Sequence, residues 1–545
     1  MKKAFTLVEL IGAIVILGII AIIAIPFVEG TLKENKEKAY LTQIESIKES
    51  TKNWAAKNTK LLPELGESYT ITLNHLQTGG YIGKIIDPRT GEPFARNVKI
   101  IIQNTNNGYV YMVDTNVNYA DNSGANEPEL FTNMIPVVYD DESEKWQYAD
   151  IKEKWYDYDS KEWANAVILK KTPSKSYTVN DDIEMSDIAQ MYVWIPRYKY
   201  TIFNGNNGSV NEQLINVTFE PGTSTTGTVR CHDAINQTDS SGNAISEICK
   251  DSTQAGNAIV NGASTYTHPA FCFGRKNTNG SCDGTELEGI WIGKFEVSGT
   301  ATAANLTVLP NVSPLVNQTV STYFNAMSGV ASSFNIKDET NTLADSHMMK
   351  NMEWGAVAYL KQSEYGLGTT DIALNNYYDS SKTVYYMTGC GSAVGTTWST
   401  TTTCTPYNEA NGQAASTTGN VYGVYDMSGG AWEYVMGNMV NTSGEFYPRS
   451  AGTFSPADKY YDAYTYNTSN TTHGRGKLGD ATKETGSTSG GWYSDYAYFP
   501  SSSGSWFARG GSSDYGSLAG VFDFARDDGG GYDSDSARLV VSRAG

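Results

Sequence analysis

From Leu10 to Val28 the chain carries no charged residue. At about 1.5 Å of rise per residue a helix of that length reaches about 28 Å, enough to cross the hydrocarbon core of a bilayer. A short basic leader, Lys2 and Lys3, precedes the run, and one acid, Glu9, stands at its start. A carboxylate there is costly in lipid unless a partner neutralises it. A plain signal peptide or signal anchor accounts for the hydrophobicity. It does not account for Glu9 directly after FTLV, or for Pro26 where a long helix would bend.

Beyond this run, Tyr40, Ile44, Ile47, Thr51 and Trp54 recur at helical spacing while Lys and Glu fill the other face, which predicts an amphipathic helix. The runs YTITL, NVKIII and GYVYMVD predict a small antiparallel sheet against it, with DPRTGEP as a loop. YADNSGANEPE reads as a linker, followed by alternating aromatic and polar residues that predict short strands. Trp146, Trp155 and Trp163 in that stretch are read as packing pairs rather than sugar platforms. With 545 residues the chain exceeds what one core usually supports. Its net charge of -19 argues against nucleic-acid binding through a basic face.

The segment KKAFTLVELIGAIVILGIIAIIAIPFVEG resembles the type IV prepilin signal. The resemblance implies a cut between Ala4 and Phe5, methylation of the new amine, and a Glu9 carboxylate that meets the N-terminal amine of a neighbouring subunit. The family usually has Gly where Ala4 stands. The implied partners are other pilin subunits, the prepilin peptidase and the cytoplasmic membrane before assembly. The implied location is that membrane, with one span and a large outer domain, and then an extracellular pilus.

Six cysteines fall in near-sequential couples, Cys231 with Cys249, Cys272 with Cys282, and Cys390 with Cys404, and predict disulfides outside the cytoplasm. A metal site from Cys231, His232, Cys249, His268 and Cys272 would lack the compact ligand spacing that zinc sites show, so none is expected.

From about Gln190, the motifs MYVWIPRYKYTI, GIWIGKFEVS, DSHMMKNMEWGAVAYL, NVYGVYDMSGGAWEYV, WFARGGS and ARLVVSR follow in order. Together they resemble the formylglycine-generating enzyme and sulfatase-modifying-factor family, which implies a C-type-lectin-like fold for residues 189–545. Within these motifs the Met349, Met352, Val357 and Leu360 pattern predicts a buried helix, and His347 reads as structural. The glycines of SGGAWEY permit a tight turn over Trp432. The family's oxidases need a reactive cysteine pair after RGGS, yet no cysteine follows Cys404, so no catalytic residue and no enzyme activity are expected. No cofactor is expected either: the family often binds calcium near Gly430, where it commonly has Asn, although Glu433 is retained.

Between Ser512 and Ala537 the chain lacks Lys, Glu, Gln, Met and Trp, the five residues that no codon ending in a pyrimidine can write. Such a bias is expected of AAC or AAT codons altered at their adenines. The stretch resembles the variable region of proteins diversified by retroelements, placed within residues 509–545. Gly516, Ala519, Gly520, Val521, Phe522 and Phe524 read as a fixed frame. The predicted ligand-binding residues are Ser512, Ser513, Asp514, Tyr515, Ser517, Leu518, Asp523, Ala525, Arg526, Asp527, Asp528, Tyr532, Asp533, Ser534 and Asp535. Tyr offers rigid contact area and Ser and Gly adaptable contacts. The aspartates favour a ligand with basic or hydroxyl-rich groups, and Arg526 reads as a local charge partner of the carboxylates around it.

The expected fold class is a multidomain α+β chain: leader 1–4, filament-core helix 5–28, pilin-like head 29–118, linker and β spacer module 119–188, and the lectin-like domain 189–545. The expected function is a pilus-associated binding protein, adhesin or receptor, for an extracellular protein or glycan. The alternative is a minor pseudopilin of a secretion or DNA-uptake machine with a fixed partner, and a sulfatase-modifying-type oxidase is the third reading.

Overall fold

The computed structural model describes residues 35–114, 125–202, 212–227, 265–274, 282–465 and 476–544, apart from gaps of five residues or fewer. The chain divides into two compact units, Met1–Asp121 and Asn122–Gly545.

In the first unit residues 35–57 are helical. Tyr40, Ile44, Ile47, Thr51 and Trp54 are all buried, so the spacing of four, three, four and three residues marks the helix face that enters the core. A three-stranded antiparallel sheet supplies the rest of that core. Ser68–Thr72 pairs with Lys99–Thr105, which pairs with Gly108–Val113. Ile71, Ile100 and Ile102 join the helix residues in one apolar cluster.

The second unit is built on two sheets. One has seven strands in the spatial order Asp345–Met348, Leu539–Ser542, Gly289–Gly293, Ile188–Pro196, Asn165–Leu169, Met134–Asp140 and Lys145–Tyr148. The central Ile188–Pro196 strand is buried along its whole length because both faces are covered, which explains why it is apolar except for Gln190, whose side chain donates to the Leu306 carbonyl at 2.9 Å. The other sheet runs Asp462–Thr465, Trp432–Val440, Trp506–Gly510 and Gly520–Asp527, and Asp535–Ala537 adds in parallel to Trp432–Val440. Helix Asn351–Lys361 is buried on every side. Its first turn is closed by Glu353, whose carboxylate accepts the Lys350 backbone N–H at 2.8 Å. His347 lies just before it, bridging Asp345 at 2.8 Å and Glu353 at 3.0 Å.

These findings correct the expected fold class. The described residues are mainly sheet, and the helices of the second unit reach at most 11 residues. The expected long N-terminal pilin helix is not among the described elements, and its segment 5–28, with Ala4, Phe5 and Glu9, lies outside the described residues. No helix of the described residues is long and apolar enough to cross a membrane, and the segment expected to span one lies outside them. The spacer module is corrected as well. Its strands Met134–Asp140, Lys145–Tyr148 and Asn165–Leu169 complete the seven-stranded sheet, because Asn165–Leu169 pairs directly with Ile188–Pro196. Trp146, Trp155 and Trp163 are buried there. The Trp146 indole N–H donates to the Tyr407 hydroxyl at 2.9 Å, and that of Trp163 to the Tyr365 carbonyl at 2.8 Å.

Candidate ligand-binding surface

The C-terminal stretch is held by backbone geometry that only small residues allow. Gly510 and Gly511 have φ of 83° and 69°, in the region that side chains disfavour. The sheet register shifts between Arg509 and Gly510, and the chain leaves the sheet as a short helical turn, Ser513–Leu518. It returns as the strand Gly520–Asp527, antiparallel to Trp506–Gly510. The SGGAWEY turn braces this excursion. Gly429 and Gly430 have φ of 75° and 79°, and a Cβ on Gly430 would fall 2.4 Å from Glu296 Oε1. The Gly430 N–H donates to Ser513 Oγ at 3.0 Å, and that hydroxyl donates to the Asn375 carbonyl at 2.7 Å.

The predicted ligand-binding residues divide by burial. Asp514, Tyr515, Ser517, Leu518, Arg526, Tyr532 and Asp533 are exposed, while Ala525, Asp527, Asp528 and Ser534 are half-buried. Ser512, Ser513, Asp523 and Asp535 are buried. Ser513 therefore serves the turn, and Asp523 lies inside, where burial and the nearby Asp495 charge hold its carboxyl well above the usual range. Burial and the Asp527 charge push Asp535 up to about 7. The Tyr434 hydroxyl bonds to Asp527, and also donates to the Gly530 carbonyl at 3.1 Å. Of the frame residues, Ala519, Gly520, Val521, Phe522 and Phe524 are buried and Gly516 half-buried.

On the outside, aromatic rings meet edge to face. Tyr515 lies 4.9 Å from Trp432 and 5.8 Å from Tyr496, which lies 6.2 Å from Tyr498. Leu518 joins this group through its carbonyl, which accepts the Tyr496 N–H at 2.8 Å. Trp432 also links the turn to the last loop, because its N–H donates to the Ser534 carbonyl at 2.8 Å. Tyr378, Tyr385 and Tyr386 form a further ring cluster. After burial, the Asp514 charge is the next influence raising the Tyr378 and Tyr386 hydroxyls, so the cluster stands near this carboxylate. These tyrosines were missed in the sequence reading. The doublets of NNYYDSSKTVYYM and the alternation in YSDYAYF are the signals that mark them. Arg526 is not the carboxylate partner expected: its guanidinium lies 4.3 Å over the Tyr498 ring and donates to Ser501 Oγ at 3.2 Å.

The cysteines pair as Cys272 with Cys282 and Cys390 with Cys404, with Cα separations of 5.7 and 5.1 Å. Cys231 and Cys249 lie outside the described residues. The family's calcium position does not fit this chain. Gly430 offers only backbone, and both oxygens of Glu433 are committed to buried Arg538, with Nε at 2.9 Å. Among the described residues no group of three or more His, Cys, Asp or Glu side chains is placed to hold a metal ion.

No protein-family model matches the chain, and no curated protein matches it.

Proposed function

We propose that the chain is a binding protein whose C-terminal surface recognises an extracellular ligand and is diversified at its exposed positions. The observation that carries this is the sorting of one codon-biased stretch by burial. Tyr515, Leu518 and Tyr532 are 39%, 43% and 43% exposed, while Val521, Phe522 and Phe524 of the same stretch are buried. Such a division lets contact residues change at little cost in stability. The two disulfides fit an oxidising compartment. Processing between Ala4 and Phe5 and assembly with other pilin-type subunits belong to the same proposal, and N-terminal sequencing of the mature chain tests them.

Deep sequencing of the codons for 505–545 in one cultured lineage tests the reading. Variation is expected at 514, 515, 517, 518, 526, 532 and 533, with a template copy nearby that carries adenines there. An invariant stretch without such a copy would sink diversification and favour a dedicated partner in a secretion or uptake machine.

A further inference from the structure

We infer that the ligand of this surface is a lysine- or arginine-rich segment of a partner protein, an inference that rests on the binding role proposed above. The surface is both aromatic and acidic. Among exposed large apolar side chains of the second unit, Tyr498, Tyr515, Leu518 and Tyr532 come from this one region. Trp432 and Tyr496 hold Tyr515 by edge contacts, so the ring is positioned before any ligand arrives.

One tyrosine face here already takes a cation from the protein itself: Arg526 lies 4.3 Å over Tyr498. Among the described residues no such cation covers Tyr515 or Tyr532, and no ion pair engages Asp514 or Asp533. A cationic side chain stacked on Tyr515 or Tyr532 would gain both the ring quadrupole and a neighbouring carboxylate. The net charge of -19 adds long-range attraction for a basic segment, which a neutral glycan does not feel.

The test uses the folded full chain and three probes: labelled octalysine, the same peptide fully acetylated, and a panel of neutral glycans. Octalysine is expected to bind, acetylation to weaken binding about tenfold or more, and salt at about 0.5 M to do likewise. The pairs D514N with D533N and Y515S with Y532S are each expected to lower octalysine affinity about tenfold with unchanged thermal melts. Equal binding of the acetylated peptide, or no binding of octalysine, overturns the inference. Octalysine binding that both double variants leave intact also overturns it, since attraction would then be spread over the whole acidic surface. Glycan binding that is lost in Y515S with Y532S, without octalysine binding, removes the ligand class while sparing the binding surface. The lineage sequencing described above judges that surface's diversification independently.

Discussion

Arg197 illustrates how a single residue can be misread from sequence. Within IPRYKY an arginine is expected at the surface, yet it is fully buried. Its Nε meets Glu220 at 3.1 Å, Nη1 meets Glu286 at 2.7 Å, and Nη2 donates to Thr225 Oγ1 at 2.7 Å. Glu220 in turn accepts from Thr226 and Thr267. Removing one member of a buried pair strands the other, so Arg197→Ala is expected to cost about 3 to 5 kcal/mol, measured as a lowered denaturation midpoint. A loss below about 1 kcal/mol would mean that water relieves Glu220. Asp523 was misread for the same reason. Its neighbours in sequence suggest a solvent-facing loop, and only the packing of Asp495 and Arg509 around it shows an interior position.

At the scale of elements, the helix at 35–57 was legible because one face alone is buried and the apolar period survives. Helix Asn351–Lys361 was legible through its motif, even though all its faces are covered. The strand Gly520–Asp527 is not marked as a strand by its sequence. Its residues 520–524 are buried on both faces, which erases the alternation of period two that marks a half-buried strand. This strand is the support of the candidate surface, and the difference can be measured. Phe522→Ala is expected to lose about 3 to 5 kcal/mol, because Phe522 packs on Trp492 and Tyr493. Tyr515→Ser, on the exposed turn, is expected to stay within about 0.5 kcal/mol. Equal effects on the melts would show that the turn and the strand are one structural unit.

Across the whole molecule, buried ionisable groups set a pH dependence. Burial raises Glu484 from 4.5 to about 7, although the Tyr359 and Tyr200 hydroxyls donate to it. Asp535 is raised to about 7 by burial and Asp527. Burial lowers His347, but the charges and hydrogen bonds of Glu353 and Asp345 outweigh it and hold the ring at about 9 against an ordinary 6.5. Each of these folded-state values lies above its ordinary value. The stability tied to them is full below the unfolded value and is lost as pH rises through about 7 for the two acids and about 9 for His347. Lys361, lowered by burial to about 8, opposes this only above that value, and His268, lowered by burial to about 3, opposes it only below its ordinary 6.5, where the raised acids outnumber it. The melting temperature is therefore expected to fall from about pH 5 to about pH 8, and Glu484→Gln to flatten the slope. A melting temperature that rises over this range would contradict the assignment.

By itself the sequence determined the local features: the amphipathic helix, the three-stranded sheet, the glycine turn at Gly430, and two cysteine pairs close in the chain. Each depends on spacing or backbone freedom within a few residues, and such signals survive without knowledge of distant neighbours. Tertiary structure alone decided that residues 134–169 extend the large sheet rather than stand as a separate module. It also decided which aspartates face solvent and which tyrosines gather around Tyr515. Those outcomes depend on strand pairing and burial between segments as far apart as Trp432 and Tyr515, or Trp146 and Tyr407, where composition and periodicity carry no information.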